Sequence, residues 1–373
     1  MKLEFQEYQP RKIVNVHKHV DGPWFWTKYS AHPYVGCRSG CEFCYLRGGH
    51  YLGKRDPDSF DALIQVKTNA IERLRLELGK LEPDVISCGD WQQPAEDRYG
   101  LSRQMLEVVL EMGFPLFIVE RSPLLTRDLD LLQAINAKSW VGVVISISNV
   151  DPTLKHAFEP RSPGIRRRLE TMQVLAEAGI LVGTSLMPII PFAGDSQKHL
   201  EDTIIATKDH GGKFVLGGGL SMSGVQAERS FAAAAQIDPA LEQGWRTLYK
   251  SDSDKPNYGP PRSYTASLGR RVRDLCHKHD VMDRMPRYIP DTPLGINKRI
   301  AEHLFLKTYE RELAEASNFR VWAYRKAAWT VDELPQSIAD LYAKEGLAGI
   351  EALPDVGGKV AQEIVTQLEI SRA

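Results

Sequence analysis

The sequence predicts an α/β protein with six βα units, followed by a small domain that is entirely helical. Short apolar runs alternate with segments of helical spacing from residue 32 to residue 216. Runs such as Val141–Ile147 are too continuously apolar for a strand with one face in water, so they predict a parallel sheet that helices cover. From residue 296 to the last residue the periodicity is helical throughout.

Each predicted strand is a short apolar run, and a segment with the periodicity of a helix separates it from the next predicted strand in most cases. The predicted strands are residues 32–36, Asp84–Cys88, Pro115–Val119, Val141–Ile147, Ile180–Met187 and Lys213–Leu216. The predicted helices are a first one from about residue 60 to Gly79, then Leu101–Met112, Asp128–Ala137, Ile165–Ala178 and Leu200–Lys208. The pattern alone fits a barrel-like winding or a doubly wound sheet, and both gather ligands at the carboxyl ends of the strands.

The composition is that of an ordinary globular chain of 373 residues, with 43% hydrophobic residues, 25% charged residues and a net charge of -1. No apolar run approaches the length of a membrane span, and the first residues lack the apolar core of a signal peptide. Five cysteines, three of them clustered, do not form a disulfide framework. We therefore expect a soluble cytoplasmic protein without a membrane partner, in which any nucleic-acid surface is a local basic patch.

Three cysteines, Cys37, Cys41 and Cys44, lie in a glycine-bearing loop after the first predicted strand. Thiolates this close repel one another unless they bind a soft metal centre. A tetrahedral zinc site would need a fourth ligand, for which His50 is the nearby candidate. A [4Fe–4S] cluster held by three cysteines would leave one iron open to a small chelating molecule. The tight spacing favours the cluster, and zinc stays open as the alternative.

This spacing, with an aromatic residue before the last cysteine, resembles the signature of the radical S-adenosylmethionine (SAM) enzymes. The resemblance implies that the open iron takes the amino and carboxylate groups of SAM. It also implies that an electron from the cluster splits SAM to give a 5′-deoxyadenosyl radical, with a donor such as ferredoxin or flavodoxin supplying the electron. The fold that it implies is an incomplete (β/α)6 barrel, which the six predicted units match.

Residues at the ends of the second and third predicted strands are candidates for binding SAM. In radical SAM enzymes a short segment at the end of strand two holds the methionine amino group, and Gly89-Asp90 stands at that place. Arg121, at the end of strand three, would pair with the SAM carboxylate by a charge-assisted hydrogen bond. The alternative for Arg121 is an ion pair with Asp128.

Residues at the ends of the fourth and fifth predicted strands complete this set. Ser146 and Ser148 alternate along the chain, so their hydroxyls point to one face and would meet the ribose. Met187, at the end of strand five, and Phe43, before the last cluster cysteine, would lie near the adenine. The alternative for the two serines is that they satisfy backbone groups at the strand end.

A narrower resemblance, to the spore photoproduct lyase group, covers about residues 10–285. It rests on the segments Pro33–Arg47, Val66–Ala70, Gln93–Glu96, Arg121–Asp128 and Phe158–Arg161. In the lyase, the radical abstracts hydrogen from a thymine–thymine crosslink in DNA, and the crosslink fragments to two thymines. A cysteine at the end of strand two then returns a hydrogen. The resemblance therefore implies a carbon–carbon lyase that repairs DNA.

Cys88 falls at the place of this hydrogen donor, and Tyr45 stands where a tyrosine follows the last cluster cysteine, so both are implied as catalytic residues. On the pattern alone, a cysteine that ends a buried strand is usually a small hydrophobic residue. Arg121 replaces a lysine that binds the SAM carboxylate. The sequence departs from the lyase at Phe43, where the lyase has a tyrosine, and at Gly89, where it has a serine that contacts SAM.

A proline-rich stretch, Met285–Pro293, separates a predicted barrel domain of residues 1–290 from a helical tail of residues 296–373. The tail contains the turn Leu353–Gly357 between two predicted helices, which is the pattern of a helix-hairpin-helix. Glycines in such a turn allow close approach of a backbone, and the amides at the second helix's N-terminus can bind a phosphate. A hairpin that serves protein packing is the alternative.

The tail resembles the N-terminal helix-hairpin-helix domain of family X DNA polymerases, including the segment Phe319–Ala328. The residues implied for DNA binding are Gly357, Gly358, Lys359, Arg320, Arg325 and Lys326. Asp355 departs from the usual glycine and brings a carboxylate near the expected phosphate. The two resemblances converge on DNA as the partner.

Three hypotheses follow. The first is a SAM-dependent radical enzyme that reverses a pyrimidine photoproduct in DNA. The second keeps the radical chemistry but directs it at another substrate, such as an RNA base or a protein. The third is a zinc-stabilised DNA-binding protein without catalysis, which would be colourless where an iron–sulfur protein is brown.

Overall fold

The computed structural model describes residues 2–20, 22, 24–48, 55–89, 92–250 and 258–371. The chain divides into two compact units. The first comprises Met1–His17 and Thr27–Met285, and the second comprises Lys18–Trp26 and Pro286–Ala373. The second unit is therefore built from two separate segments of the chain. Within the described ranges, no helix has the length and apolar character that crossing a membrane requires.

The main sheet of the first unit contains six parallel strands in chain order. The strands of this unit are β1 (Glu4–Tyr8), β2 (Val14–Val16), β3 (Tyr29–Ala31), β4 (Tyr34–Val35), β5 (Leu63–Lys67), β6 (Ile86–Gly89), β7 (Leu116–Glu120), β8 (Val141–Ser146), β9 (Leu181–Ile189) and β10 (Phe214–Gly219). β3, β6, β7, β8, β9 and β10 lie side by side and run parallel, with β2 antiparallel to β3 at the edge. β1, β5 and β4 form a separate sheet. A doubly wound sheet reverses its strand order at a switch point, and this sheet does not.

The helices of this unit lie between the strands or after the last of them, and they bury the apolar surface of the main sheet. They are α1 (Ala70–Leu78), α2 (Glu96–Tyr99), α3 (Leu101–Met112), α4 (Leu129–Lys138), α5 (Pro152–Phe158), α6 (Ile165–Glu177), α7 (Gln197–Asp209), α8 (Gly224–Ile237), α9 (Pro239–Leu248) and α10 (Arg262–Lys278). Leu106 of α3 and Leu132 of α4 share one core with Val143 of β8. β8 is buried along its whole length, as its continuous apolar sequence predicts.

The first parallel strand lies earlier in the chain than the sequence predicts. β3 is Tyr29–Ala31, whereas the predicted strand at residues 32–36 leaves the main sheet. Tyr34–Val35 instead pairs with β5 in the smaller sheet. The buried hydroxyl of Tyr34 donates a hydrogen bond to Glu96, which fixes this segment beside α2. The number of parallel strands is as predicted, and the position of the first one was wrong.

The segment before α1 also differs from its prediction. Asp56 caps a short 3-10 helix, Pro57–Ser59, by accepting a hydrogen bond from the N–H of Asp58 at 3.1 Å. Leu63–Lys67 then forms β5, and the helix begins only at Ala70. The prediction of one continuous helix from about residue 60 was therefore wrong.

The second unit contains four helices in its described residues, as the periodicity predicts. They are α11 (Gly295–Leu313), α12 (Asn318–Asp332), α13 (Ile338–Glu351) and α14 (Gly358–Ile370). α13 is interrupted at Gly346, whose φ of 63° and ψ of -155° are not helical. Trp26 contributes to this core from the first segment, with its ring centre 5.7 Å from that of Phe305 and 5.0 Å from the guanidinium carbon of Arg287.

Candidate functional site at the carboxyl edge of the sheet

The cysteine loop lies between β4 and β5. The N–H of Gly40 donates to the carbonyl of Cys37 at 3.3 Å, and the N–H of Cys44 donates to that of Cys41 at 3.2 Å. Gly40 has a φ of 56°, and a side chain there would collide with the guanidinium of Arg161. Cys37 and Cys41 are buried, Cys44 is partly exposed, and all three are free thiols. Two tight turns thus place three thiols on one short loop.

The chemistry of this donor set fits an iron–sulfur cluster. Among the described residues, no three His, Cys, Asp or Glu side chains converge on the position of a single metal ion. A four-iron cluster does not require that convergence, because each thiolate binds a different iron. Burial raises the pKa of Cys41 to about 12, so this thiol needs a bound cation to lose its proton at neutral pH. His50, the fourth ligand of the zinc alternative, lies outside the described residues.

Arg121 directly follows β7 and links the cysteine loop to the sheet. Its Nη1 donates to Cys41 Sγ at 2.8 Å and to Glu159 Oε2 at 3.2 Å. Asp128, the partner that the sequence left open for Arg121, is bound by Arg127 at 2.9 Å. A hydrogen bond to a ligand sulfur stabilises negative charge on a cluster. Arg121 therefore lies where it can act on a cluster ligand, and its contact with the SAM carboxylate stays a prediction.

Glu159 joins the polar groups behind the loop. It is 2% exposed and accepts hydrogen bonds from Ser148 Oγ and from Arg168 Nη2, each at 2.5 Å. Arg168 also donates to the carbonyl of Ser146 at 2.8 Å. Burial acts to raise the pKa of Glu159, but Arg168 and Arg121 outweigh it and lower that pKa to about 2. A carboxylate that is ionised at neutral pH is thus held between the ends of β7 and β8.

The two aromatic residues of the loop lie in different environments. Phe43 is buried, and its ring centre lies 6.4 Å from that of Phe158, which stacks in turn on Trp245 at 5.8 Å. Tyr45 is 57% exposed in a short 3-10 helix, Tyr45–Arg47. Phe43 therefore anchors the loop in an apolar cluster, whereas the Tyr45 side chain is accessible.

The end of β6 carries the proposed hydrogen donor. The backbones of Cys88 and Gly89 pair with Ile118 and Val119 of β7, so both residues lie at the carboxyl edge of the sheet. The side chain of Cys88 is not among the described parts of the chain, and Asp90 lies outside the described residues altogether. Their proposed roles stay predictions.

The ends of β8 and β9 bring three further candidates to the same edge. Ser146 is the last residue of β8 and is buried, while the hydroxyl of Ser148 is engaged by Glu159. Met187 lies within β9, which continues to Ile189, so the fifth strand runs beyond its predicted end. An added Cβ at Gly218 would lie 3.0 Å from Met187 Sδ, so this glycine makes room for the methionine.

The segment Gln93–Glu96 holds the cysteine loop from the other side, a role that the sequence did not reveal. Gln93 Oε1 accepts a hydrogen bond from the backbone N–H of Arg38 at 3.2 Å. Glu96 is buried, where it accepts the hydroxyl of Tyr34 and pairs with Arg127 at 2.9 Å. In the sequence these residues stand out only as a short motif. Their role in holding the loop could not be inferred from it, because their hydrogen-bond and ion-pair partners are distant along the chain.

The residues predicted to bind DNA lie in the second unit. Gly357, Gly358 and Lys359 are exposed at the start of α14, where no side chain caps the helix. Asp355 precedes them with a φ of 58°, a conformation that favours the usual glycine, and it lies 3.4 Å from Lys326 Nζ. Amides and a lysine are thus accessible at this turn.

On α12 the predicted residues differ in their surroundings. Arg320 and Lys326 are exposed. Arg325 pairs with Glu312 and lies over the ring of Trp322, 5.0 Å from its centre. Arg325 is therefore already engaged within its unit.

No protein-family model matches the chain. An uncharacterised protein of Mycobacterium tuberculosis strain H37Rv, Rv2578c, is 30% identical to it over 258 residues, which is 68% of this chain and 74% of the relative. The radical SAM Nalpha-GlyT isomerase of Pseudomonas phage M6 is 27% identical over 191 residues, 49% of this chain and 38% of the relative.

Solved structures of spore photoproduct lyase share the fold. The lyase in complex with dinucleoside spore photoproduct matches with a TM-score of 0.54 and 14% identity, over 74% of this chain and 79% of that chain. A mutant with bound AdoMet and the same dinucleoside matches with a TM-score of 0.54 and 15% identity over the same shares. The architecture is therefore the fold of spore photoproduct lyase.

Proposed function

Because the chain belongs to the family of the mycobacterial protein Rv2578c and has the fold of spore photoproduct lyase, we propose that it is a radical SAM enzyme that acts on DNA. The observation that carries the proposal is the contact of Arg121 with the sulfur of Cys41 at the carboxyl edge of the parallel sheet. A guanidinium that donates a hydrogen bond to a buried thiol would stabilise the negative charge that the sulfur carries as a metal ligand.

Cys37, Cys41 and Cys44 would hold a [4Fe–4S] cluster with one open iron for SAM. When bound and reduced by a donor such as ferredoxin or flavodoxin, this pair supplies a 5′-deoxyadenosyl radical. Arg121 would keep positive charge beside the cluster, and Glu159 would keep Arg121 in place. The buried position of Cys37 and Cys41 supports this assignment, because it excludes water from most of the ligand set.

The groups assigned to SAM are those at the strand ends. Gly89, Asp90 and Arg121 would bind its methionine moiety, Ser146 and Ser148 its ribose, and Phe43 and Met187 its adenine. For Gly89, Arg121, Ser146 and Ser148, a place at the carboxyl edge of one parallel sheet supports the assignment. Ser148 would act together with Glu159, because its hydroxyl is already bonded to that carboxylate.

The proposed substrate is lesion-containing DNA, and the proposed reaction is that of a photoproduct lyase. The radical would abstract hydrogen from a thymine–thymine crosslink, the crosslink would fragment to two thymines, and Cys88 would return a hydrogen atom. An electron from the ferredoxin- or flavodoxin-type donor and a proton from solvent would then restore the thiol of Cys88. Tyr45, exposed beside the cysteine loop, would assist the radical step. The exposed amides of Gly357 and Gly358 with Lys359, and the cations Arg320, Arg325 and Lys326, would hold the DNA backbone.

A radical rearrangement is the second candidate function. The phage relative carries the name of an isomerase, so the same cluster chemistry would end in an isomerised substrate rather than a cleaved one. In that case Cys88→Ala leaves the identity of the product unchanged.

The test is one anaerobic reaction of reconstituted protein with dithionite, SAM and ultraviolet-irradiated DNA rich in thymine crosslinks. We expect 5′-deoxyadenosine and restored thymine to appear together, and restored thymine to be lost in Cys88→Ala. Deoxyadenosine without thymine would retain the radical enzyme and refute the lyase reaction. Absence of both, in brown protein shown to hold iron and sulfide, would refute the catalytic assignment.

A further inference from the structure

The loop that follows β9 exposes an aromatic side chain at the carboxyl edge of the sheet. Phe192 lies in this loop with a φ of 62°, and its side chain is 55% exposed. A single exposed apolar residue is ordinary on a protein surface, so exposure alone would carry no inference. A positive φ is unusual for a bulky residue, and backbone strain of this kind concentrates at ligand sites.

The loop is fixed on both sides of Phe192. Before it, the carbonyl of Pro191 accepts a hydrogen bond from Trp245 Nε1 at 2.9 Å. After it, the carboxylate of Asp195 accepts the hydroxyl of Tyr264 at 2.5 Å, and its carbonyl accepts Arg271 Nη1 at 2.5 Å. The exposed ring is therefore held by a rigid loop rather than by a mobile one.

The ring itself is also supported. The Tyr264 ring meets it edge-on, with centres 6.4 Å apart and planes at 73°. A side chain at Gly244 would lie 3.2 Å from the ring, so this glycine lets the backbone of α9 support Phe192 closely. This support leaves more than half of the side chain uncovered.

The loop is continuous with the candidate site. Trp245, which binds the loop at Pro191, packs in the same apolar cluster as Ile190, Phe43 and Cys41. The elements that anchor Phe192 thus also anchor the cysteine loop.

We propose that Phe192, supported by Tyr264, is a platform on which one base of the DNA substrate stacks. This proposal rests on the proposed function and adds a specificity-determining residue to it. Aromatic faces combined with cations are the usual means of holding unpaired bases, and the exposed Arg262 stands two residues before Tyr264 at the start of α10. Because both faces of a base in a duplex are covered, the stacked base must be single-stranded or flipped out.

The test measures binding of a fluorescent single-stranded oligothymidine of about six nucleotides by anisotropy. It uses the SAM-loaded, reconstituted full chain. We expect Phe192→Ala and Phe192→Leu to weaken binding about tenfold and Phe192→Tyr to stay within about twofold of wild type. Leu76→Ala, which removes another half-exposed apolar side chain on α1, is the matched control and should leave binding unchanged.

The outcomes separate this proposal from the proposed function. Equal binding by wild type, Phe192→Ala and Phe192→Tyr would overturn the platform and leave DNA as the substrate. A rise in the KM for SAM without weaker oligothymidine binding would overturn it in favour of the adenine of SAM. Absence of binding by wild type to either single-stranded or duplex DNA would overturn both proposals.

Discussion

The guanidinium of Arg121 donates one hydrogen bond to the sulfur of Cys41 at 2.8 Å and another to the buried carboxylate of Glu159 at 3.2 Å. One side chain therefore connects a proposed cluster ligand to a carboxylate that is negatively charged at neutral pH. The first prediction tests this connection.

Arg121→Met should lower the reduction potential of the reconstituted cluster, because a hydrogen bond to sulfur stabilises the reduced state. If reduction of the cluster strengthens this hydrogen bond by about 1 kcal/mol, its loss should lower the one-electron reduction potential by roughly 40 mV. Redox titration followed by electron paramagnetic resonance measures the shift. Arg103→Met is the matched control, because it also removes an arginine that pairs with a carboxylate, that of Asp130 at 2.7 Å. In the described residues, the ion-pair partners of Arg103 all lie outside the cysteine loop. An equal potential in Arg121→Met and wild type would contradict the prediction.

Glu159→Gln should destabilise the chain by about 3–5 kcal/mol, because it leaves the buried Arg168 and the partly buried Arg121 without their counter-charge. Denaturant unfolding measures the loss. Glu170→Gln removes the carboxylate of an exposed pair with Arg166 and should cost at most about 0.5 kcal/mol. Similar losses in the two variants would show that the buried carboxylate has no special role.

The same carboxylate predicts a dependence of stability on pH. The pKa of Glu159 is lowered from 4.5 to about 2, against burial, by Arg168 and Arg121. A depressed pKa contributes stability above the unfolded value of 4.5, and this contribution is lost as the pH falls from there toward 2. Between pH 6 and pH 2, the metal-free wild type should lose about 3 kcal/mol more of its unfolding free energy than Glu159→Gln. Parallel curves would disprove the assignment.

Alkylation should distinguish the three cysteines of the loop in the metal-free chain. Cys44 is partly exposed, whereas Cys41 is buried and its pKa is raised to about 12 by burial. With iodoacetamide at pH 8, Cys44 should react first and Cys41 slowest, because roughly one in ten thousand Cys41 thiols is ionised. Peptide mass spectrometry gives the rates. Reconstitution with iron and sulfide should protect all three, and protection of none would count against the cluster.

Lys359→Ala should weaken DNA binding equally for all sequences and reduce the slope of log affinity against log salt by about 1. The reason is that Lys359 is exposed at the start of α14, where no side chain caps the helix. Lys344→Ala, on α13 with a side chain 80% exposed, is the control. A sequence-dependent loss in Lys359→Ala would be inconsistent with a backbone contact.

The sequence predicts the main sheet well because its strands are buried on both faces. Continuous apolar runs such as Val141–Ser146 are typical of strands in a covered parallel sheet, and α3 was predicted with its observed bounds, Leu101–Met112. β5 was missed because its residue Val66 lies four residues before Ala70, the first residue of α1. Val66 therefore extended the helical spacing of apolar residues backward into the strand.

The candidate site was predicted only as far as single residues allow. The cysteines, Arg121 and Ser148 could be found because each stands at a recognisable place in the chain. Glu159 and Gln93 lay in short motifs, but their roles depend on Arg121 and Arg38, which are 38 and 55 residues away. No periodicity connects residues at such separations, so these pairs emerge only from the fold.

The second unit is assembled from Lys18–Trp26 and Pro286–Ala373, and this division has a consequence for biosynthesis. On the ribosome, Phe305 and Arg287, against which Trp26 packs, emerge only after the intervening residues Thr27–Met285 of the first unit. Trp26 therefore cannot make these contacts until synthesis has passed Phe305. A fragment that begins at Pro286 would lack Trp26 and the rest of the segment Lys18–Trp26. To produce the helical unit alone, residues 18–26 should therefore be included.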